Sequence, residues 1–195
     1  MGAKLQIMGP IILVAAILAA AGWWIFWAYF DTYHLATVSA GVLYRDGVRD
    51  LHQFELAEKK THFRTVVSLV DDQEITQKPF TDELAYCHAN GIKVIRLPVP
   101  LGGWPRGDQI SQFLAITKDP SAQPVLVHCA QGVRRTGMMV AAYQRSVLKF
   151  DKDQTTAAML TFGHSQRTVG DVLRFIDTYD PKTEQMTAEM PLSQE

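Results

Sequence analysis

Pro124-Val125-Leu126-Val127-His128-Cys129-Ala130-Gln131-Gly132-Val133-Arg134-Arg135-Thr136-Gly137 is the stretch from which the rest of the chain can be read. Its opening run, rich in Val and Leu, has the character of a buried strand. The run stops at Cys129, passes through a loop containing Gly132, and enters a helical pattern from Arg135 towards Leu148. A loop between a strand and a helix N-terminus leaves several backbone N–H groups unpaired and converging, and the helix dipole adds positive potential. Such a loop is suited to a tetrahedral anion. Cys129 lies inside it, and Arg135 follows six positions later.

These residue types suit one chemistry. A thiol attacks as the thiolate, and N–H donors with a neighbouring arginine lower its pKa. Arg135 offers a planar fork that grips two phosphate oxygens and follows them into the transition state. Gly132 lets the loop turn with φ > 0. Thr136 is placed to hydrogen-bond the sulfur and help it leave when a phosphocysteine intermediate is hydrolysed. His128, beside the nucleophile, is expected to tie down the loop rather than act as a base.

His-Cys-x5-Arg-Thr-Gly over residues 128–137 resembles the signature of the cysteine-dependent protein tyrosine phosphatases, particularly the dual-specificity branch. The resemblance covers roughly residues 40–180. It implies attack by Cys129 on a phosphomonoester, with Arg135 binding phosphate and water completing turnover. Carried over by position, Ala130, Gln131, Gly132, Val133, Arg134 and Arg135 supply the phosphate cradle. No cofactor is expected, and the sequence offers no metal-ligand spacing.

At the general acid the resemblance breaks. The family places an Asp about 30 residues before the Cys to protonate the leaving group. That distance falls near Val99 to Leu101, where there is no Asp or Glu. Asp108 is the one acid of the same loop, and its leading reading is a helix cap or first-turn carboxylate, with the general acid as the sharper one. Asp71 and Asp72, at the end of another strand, are further candidates. Catalysis without a dedicated acid is a fourth option, best tolerated by aryl phosphates.

The chain has 195 residues and a formal net charge of −1, so no basic field points to nucleic acid. Its two cysteines, Cys87 and Cys129, make no disulfide framework. Cys87 lies in an expected helix, Phe80 to Asn90, and reads as a small buried hydrophobe. The sharper alternative is a resolving partner for Cys129.

Residues 7–30 are uncharged. As a helix they would extend about 36 Å, enough to cross a bilayer core. Trp23, Trp24, Trp27 and Tyr29 cluster at the far end like an interfacial belt. A single-pass anchor is therefore expected in residues 1–32. A signal peptide cleaved after Ala19-Ala20-Ala21 is disfavoured by the apolar run continuing from Gly22 to Phe30. Lys4 ahead of the run favours a cytoplasmic N-terminus, whereas a thiolate enzyme favours a reducing cytoplasm for the catalytic part.

Beyond it, strands are expected at Val38 to Asp46, Phe63 to Val70, Ile92 to Leu97 and in the signature. Helices are expected at Leu51 to Lys60, Phe80 to Asn90, from about Asp108 to Lys118, Met138 to Leu148, Gln154 to Phe162 and Val169 to Tyr179. The alternation predicts an α/β fold: a central, mostly parallel sheet of about four to five strands flanked by helices, with ligands at the strands' carboxyl ends. The catalytic domain is expected over 33–180, with Arg45 in a structural ion pair and 181–195 as a mobile tail.

The function expected is that of a membrane-anchored phosphatase acting on phosphoprotein (tyrosine, or serine and threonine) or on a phospholipid headgroup. Arg134 reads either as a site for a second anionic group or as a solvated charge. A phosphate-binding module with little turnover is the alternative, and sulfur transfer on a rhodanese-like scaffold is a third reading that the Arg135-Thr136-Gly137 spacing disfavours.

Overall fold

The strand that carries Cys129 stands in the middle of a five-stranded sheet. This computed structural model describes residues 2–30, 32–160, 162 and 166–187, with side chains described over 12–26, 32–160, 162 and 169–187. It divides into two compact units, Met1–Asp31 and Thr32–Glu195.

The first unit is one helix, α1 (Gly2–Phe30). Among the described residues no helix is long and apolar enough to cross a membrane. The single-pass anchor expected over residues 7–30, and the membrane localisation with it, are corrected accordingly. The described side chains of α1 run over 12–26. Trp27 and Tyr29 of the expected belt, and residues 7–11, lie outside the residues with described side chains.

The second unit runs β1 (Ala36–Ser39), β2 (Leu43–Gly47), α2 (Leu51–Thr61), β3 (Thr65–Ser68), α3 (Phe80–Ala89), β4 (Lys93–Arg96), α4 (Gly107–Lys118), β5 (Val125–Cys129), α5 (Arg134–Ser146), α6 (Lys152–Met159), α7 (Gln166–Thr178), β6 (Tyr179–Asp180) and β7 (Gln185–Met186). The main sheet has the order β1-β2-β5-β3-β4. β5 is parallel to both β2 and β3, β4 is parallel to β3, and only β1 is antiparallel. The single strand expected over Val38 to Asp46 is in fact a hairpin. Gly41, at φ +72°, turns the chain between β1 and β2, and the Val42 N–H closes the turn on the Ser39 carbonyl at 3.0 Å.

Alternation along β5 sorts its side chains to opposite faces. Val125, Val127 and Cys129 join Leu43, Val67, Phe113, Met138 and Phe175 in the core beneath α4, α5 and α7. Leu126 packs on the other face with Phe54, Ala57, Phe80 and Cys87 of α2 and α3. Burying side chains of this size contributes about 1.5–3 kcal/mol each. Cys87 and Cys129 thus lie on opposite faces with the sheet between them, and a disulfide between them is out of reach. Burial, reinforced by Glu83, pushes the Cys87 thiol up to about 12.

The tail expected from residue 181 begins with ordered structure. β6 pairs with β7, the Thr187 N–H donates to the Thr178 carbonyl at 2.8 Å, and Lys118 of α4 reaches Glu184 at 3.5 Å. Residues 188–195 of that expected tail lie outside the described residues.

Candidate active site

The loop after β5 is folded against the end of β2, where Gly47 stands opposite Cys129 in the ladder. Contact is close enough to demand glycine on both sides. A Cβ at Gly47 would lie 2.6 Å from the Gln131 carbonyl carbon and oxygen, and one at Gly132 would collide with the Asp46 carbonyl. Gly132 also has φ +68°, a conformation that other residues adopt only under strain.

The loop's carbonyls are held outward. The Val48 N–H donates to the Ala130 carbonyl at 3.1 Å. The Arg45 Nη2 group donates to the Gly132 carbonyl at 2.6 Å. In a trans peptide the C=O and the following N–H point in opposite directions. Anchoring these carbonyls therefore turns the N–H groups of Gln131 and Val133 away from the scaffold. Arg45 was expected to form an ion pair. Instead it donates to main-chain oxygen and lies 4.0 Å over the Phe162 ring. Burial lowers its pKa to about 10, which leaves it a cation at neutral pH.

Cys129 is buried at the focus of this loop. Burial opposes its ionisation. The Arg135 charge, the Thr136 hydroxyl and N–H, and the Gly132 N–H outweigh burial, and the thiol pKa falls below its ordinary value. Among the described residues the Thr136 hydroxyl bonds no oxygen or nitrogen, and its interaction with the sulfur is among the causes that hold the thiol pKa down. The N-cap residue of α5 is Val133, whose side chain makes no cap bond, and a helix start of this kind offers its first N–H groups to an anion.

Arg135 forms a two-bond pair with Glu74, Nη1 to Oε2 at 2.6 Å and Nη2 to Oε1 at 3.2 Å. It also donates to the Val99 carbonyl at 3.3 Å. Arg134 is neither a solvated charge nor a free cation. It donates to Asp171 of α7 at 2.6 Å and to the Gly103 and Gly102 carbonyls at 2.8 and 2.7 Å. It thereby clamps the loop between β4 and α4 to the start of α5. His128 shares the Leu126 face, and its Nε2 lies 2.9 Å from Glu83 Oε1 of α3, with both side chains fully buried. That places the ring across the sheet from the Cys129 sulfur, as a support and not a base.

The acid candidates are all engaged. Asp108 is exposed in the first turn of α4, paired with Arg106 at 3.0 Å. Asp72 pairs with Arg96 at 2.7 Å. Asp71 accepts the Leu101 N–H at 3.0 Å. A cavity of about 200 Å³ opens over Cys129, lined by Glu74, Leu101, Gly102, Ala130, Gln131, Arg134 and Arg135. Cys129, Ala130, Gln131, Arg134 and Arg135 thus meet there, and Asp108 is not part of the lining. The sequence reading missed Glu74. Its only sequence signal was the acidic run Asp71-Asp72-Gln73-Glu74 at the carboxyl end of β3.

A model of the family described as DSP-PTPase phosphatase fused to NAD+ kinase matches residues 56–174, the whole loop included. The chain is 26% identical over 91 residues to the rice (Oryza sativa subsp. japonica) protein called probable NAD kinase 2, chloroplastic, which covers 46% of this chain and 9% of that one. The chain spans less than a tenth of the curated relatives it matches. Among solved structures, the core catalytic domain of the PP-IP phosphatase SIW14 from S. cerevisiae, in complex with citrate, is similar at a TM-score of 0.64. The identity is 18%, over 76% of this chain and 86% of that one. TpbA of P. aeruginosa is similar at a TM-score of 0.58 and 23% identity, over 78% of this chain and 88% of that one. At these identities the two structures attest the fold. With the family match extending over more than half of the chain, the protein belongs to the family described as DSP-PTPase phosphatase fused to NAD+ kinase, a phosphoric monoester hydrolase family, and has the α/β phosphatase fold.

Proposed function

We propose that the chain hydrolyses a singly phosphorylated aryl ester, phosphotyrosine in a protein, through a phosphocysteine intermediate. The observation that carries the reading is the convergence on the Cys129 sulfur of the Gly132 and Thr136 donors with Arg135 beside them. The Cys129 sulfur forms the S–P bond as the ester P–O bond breaks. Water then forms a new P–O bond as the S–P bond breaks, and Thr136 stabilises the returning thiolate.

The substrate preference has three supports. Every carboxylate candidate is already bonded, so a leaving group that departs as an anion is favoured, and an aryl oxide does so far more readily than a serine alkoxide. The donors of Arg134 are committed to Asp171, Gly102 and Gly103, so it offers little to the second phosphate of a lipid headgroup. Leu101, 74% exposed, lies at the cavity and offers apolar surface to an aryl ring. TpbA has also been solved with phosphotyrosine bound.

Phosphate release from a phosphotyrosyl peptide, a phosphoseryl peptide, a phosphoinositide and an aryl phosphate tests the reading, with Cys129→Ser as the blank. The aryl esters should exceed phosphoserine by about a hundredfold, the factor a missing general acid removes from poor leaving groups. Turnover confined to the phosphoinositide would overturn the substrate. A binding module with little turnover is the second reading, favoured by the occupation of both terminal nitrogens of Arg135 by Glu74. Retained phosphate binding with no release anywhere would establish it.

A further inference from the structure

One carbonyl of the loop is held from an unexpected quarter. The Gln131 oxygen lies 2.7 Å from Nδ1 of His34, a residue 97 positions away in the segment leading into β1. A carbonyl only accepts, so Nδ1 must carry the proton, in the neutral Nδ1–H tautomer or in the imidazolium. Anchoring this oxygen outward turns the N–H of the same peptide, that of Gly132, to the opposite side. The Gly132 N–H is one of the donors to the Cys129 sulfur.

His34 is built into this position. Its backbone sits at φ +65°, a left-handed conformation uncommon outside glycine and one that marks a residue held by its surroundings. Tyr33 stacks on the imidazole, ring centroids 4.3 Å apart and planes 23° from parallel. The Tyr33 carbonyl accepts the Gly47 N–H at 3.0 Å, and Gly47 is the residue opposite Cys129 in the ladder. Backbone anchor, stacked ring and positive φ together aim one N–H at one carbonyl.

We infer that His34 is a positioning residue of the phosphate cradle, whose Nδ1–H fixes the Gln131–Gly132 peptide so that the Gly132 N–H faces the Cys129 sulfur and the bound phosphoryl group. This deepens the phosphatase reading, and it places the segment just after Asp31 in control of the nucleophile. Vanadate or phosphate should bind through the same N–H.

Two variants of the full chain separate this role from a merely structural one. His34→Gly accepts φ > 0 without strain but removes the donor. His34→Asn also tolerates φ > 0 and carries an amide N–H near the position of Nδ1. Cys129 is titrated by iodoacetamide alkylation against pH, and inorganic phosphate is measured by its protection of Cys129. Neither readout needs turnover, so failure of the phosphatase reading leaves them interpretable. Cys87, buried and with its thiol pushed up to about 12, stays silent. In His34→Gly the thiolate should appear at higher pH and protection by phosphate should weaken about tenfold, as expected for one lost hydrogen bond to a charged group. His34→Asn should stay near the wild type. Equal loss in both variants, or loss in neither, would overturn the inference.

Discussion

Glu74 and Arg135, 61 positions apart, face each other across the mouth of the cavity as a two-bond pair. The pair fixes the guanidinium plane and leaves the remaining N–H groups for a phosphoryl oxygen. Carbonyls of Leu69 and Val99 approach the same Nη1 at 3.4 and 3.3 Å, so the arginine is held from three sides. Glu74→Gln keeps the shape and removes the charge. It should lower kcat/KM for an aryl phosphate by roughly tenfold, mainly through KM, since one charge-assisted contact is weakened. Unchanged steady-state constants would mean that the two carbonyls suffice to orient Arg135.

Thr136 gives a prediction in pH. The Cys129 thiol is depressed against the opposing effect of burial, so the thiolate is present above that lowered pKa and is lost as pH falls through it. Thr136→Ala removes a donor to the thiolate and should move the acid limb of kcat/KM to higher pH. It should also reduce kcat roughly tenfold, because the hydroxyl no longer stabilises the departing sulfur. A pH–rate profile of the two proteins on an aryl phosphate reads both effects. An unmoved acid limb would remove Thr136 from the nucleophile's environment.

Asp108 should prove dispensable. It is exposed and bonded to Arg106, and both the Arg106 hydrogen bonds and the charge hold its carboxyl below the ordinary value. A group kept ionised is poorly suited to donate a proton to a leaving group. Asp108→Asn should keep kcat within about twofold on aryl and alkyl phosphates alike, as surface changes away from the chemistry do. A loss confined to alkyl phosphates would restore Asp108 as the general acid.

The buried His128–Glu83 pair predicts a stability change with a definite sign. Burial alone would depress the imidazole, but the Glu83 charge and hydrogen bond prevail, and the His128 pKa is raised. The stabilisation is therefore complete below the ordinary histidine value of about 6.5 and is lost as pH rises through the raised folded-state value. Glu83→Gln should cost about 3 kcal/mol or more by stripping a buried charge of its partner. The gap in melting temperature between the two proteins should narrow as pH rises through that window. A gap constant across pH would show that the pair is not ionised.

Much of the site was legible because it is local. A strand, a glycine turn and a helix N-terminus in 14 consecutive residues bring Cys129, Arg135 and Thr136 together whatever the rest of the chain does. The period of two along β5 likewise sends His128 and Cys129 to opposite faces. Composition misled at the N-terminal segment. The apolar run over 7–30 suggested a spanning helix, and no described helix meets that requirement. The Gly41 turn lay within one stretch, Val38 to Asp46, read as a single element, so two short strands read as one.

From the amino-acid sequence alone came the candidate nucleophile, the loop proposed to cradle phosphate and a mostly parallel α/β sheet, because short-range stereochemistry and the alternation of strands and helices set them. The sheet order β1-β2-β5-β3-β4 came only with the tertiary structure, and with it the partners that tune the loop. β2 on one side brings Arg45 and Gly47 to Gly132, the segment leading into β1 brings His34 to Gln131, and the loop after β3 on the other side brings Glu74 to Arg135. These contacts join residues 61 to 97 positions apart, so no local pattern records them; the packing of both faces of the sheet selects which strands are neighbours, and that choice decides what surrounds Cys129.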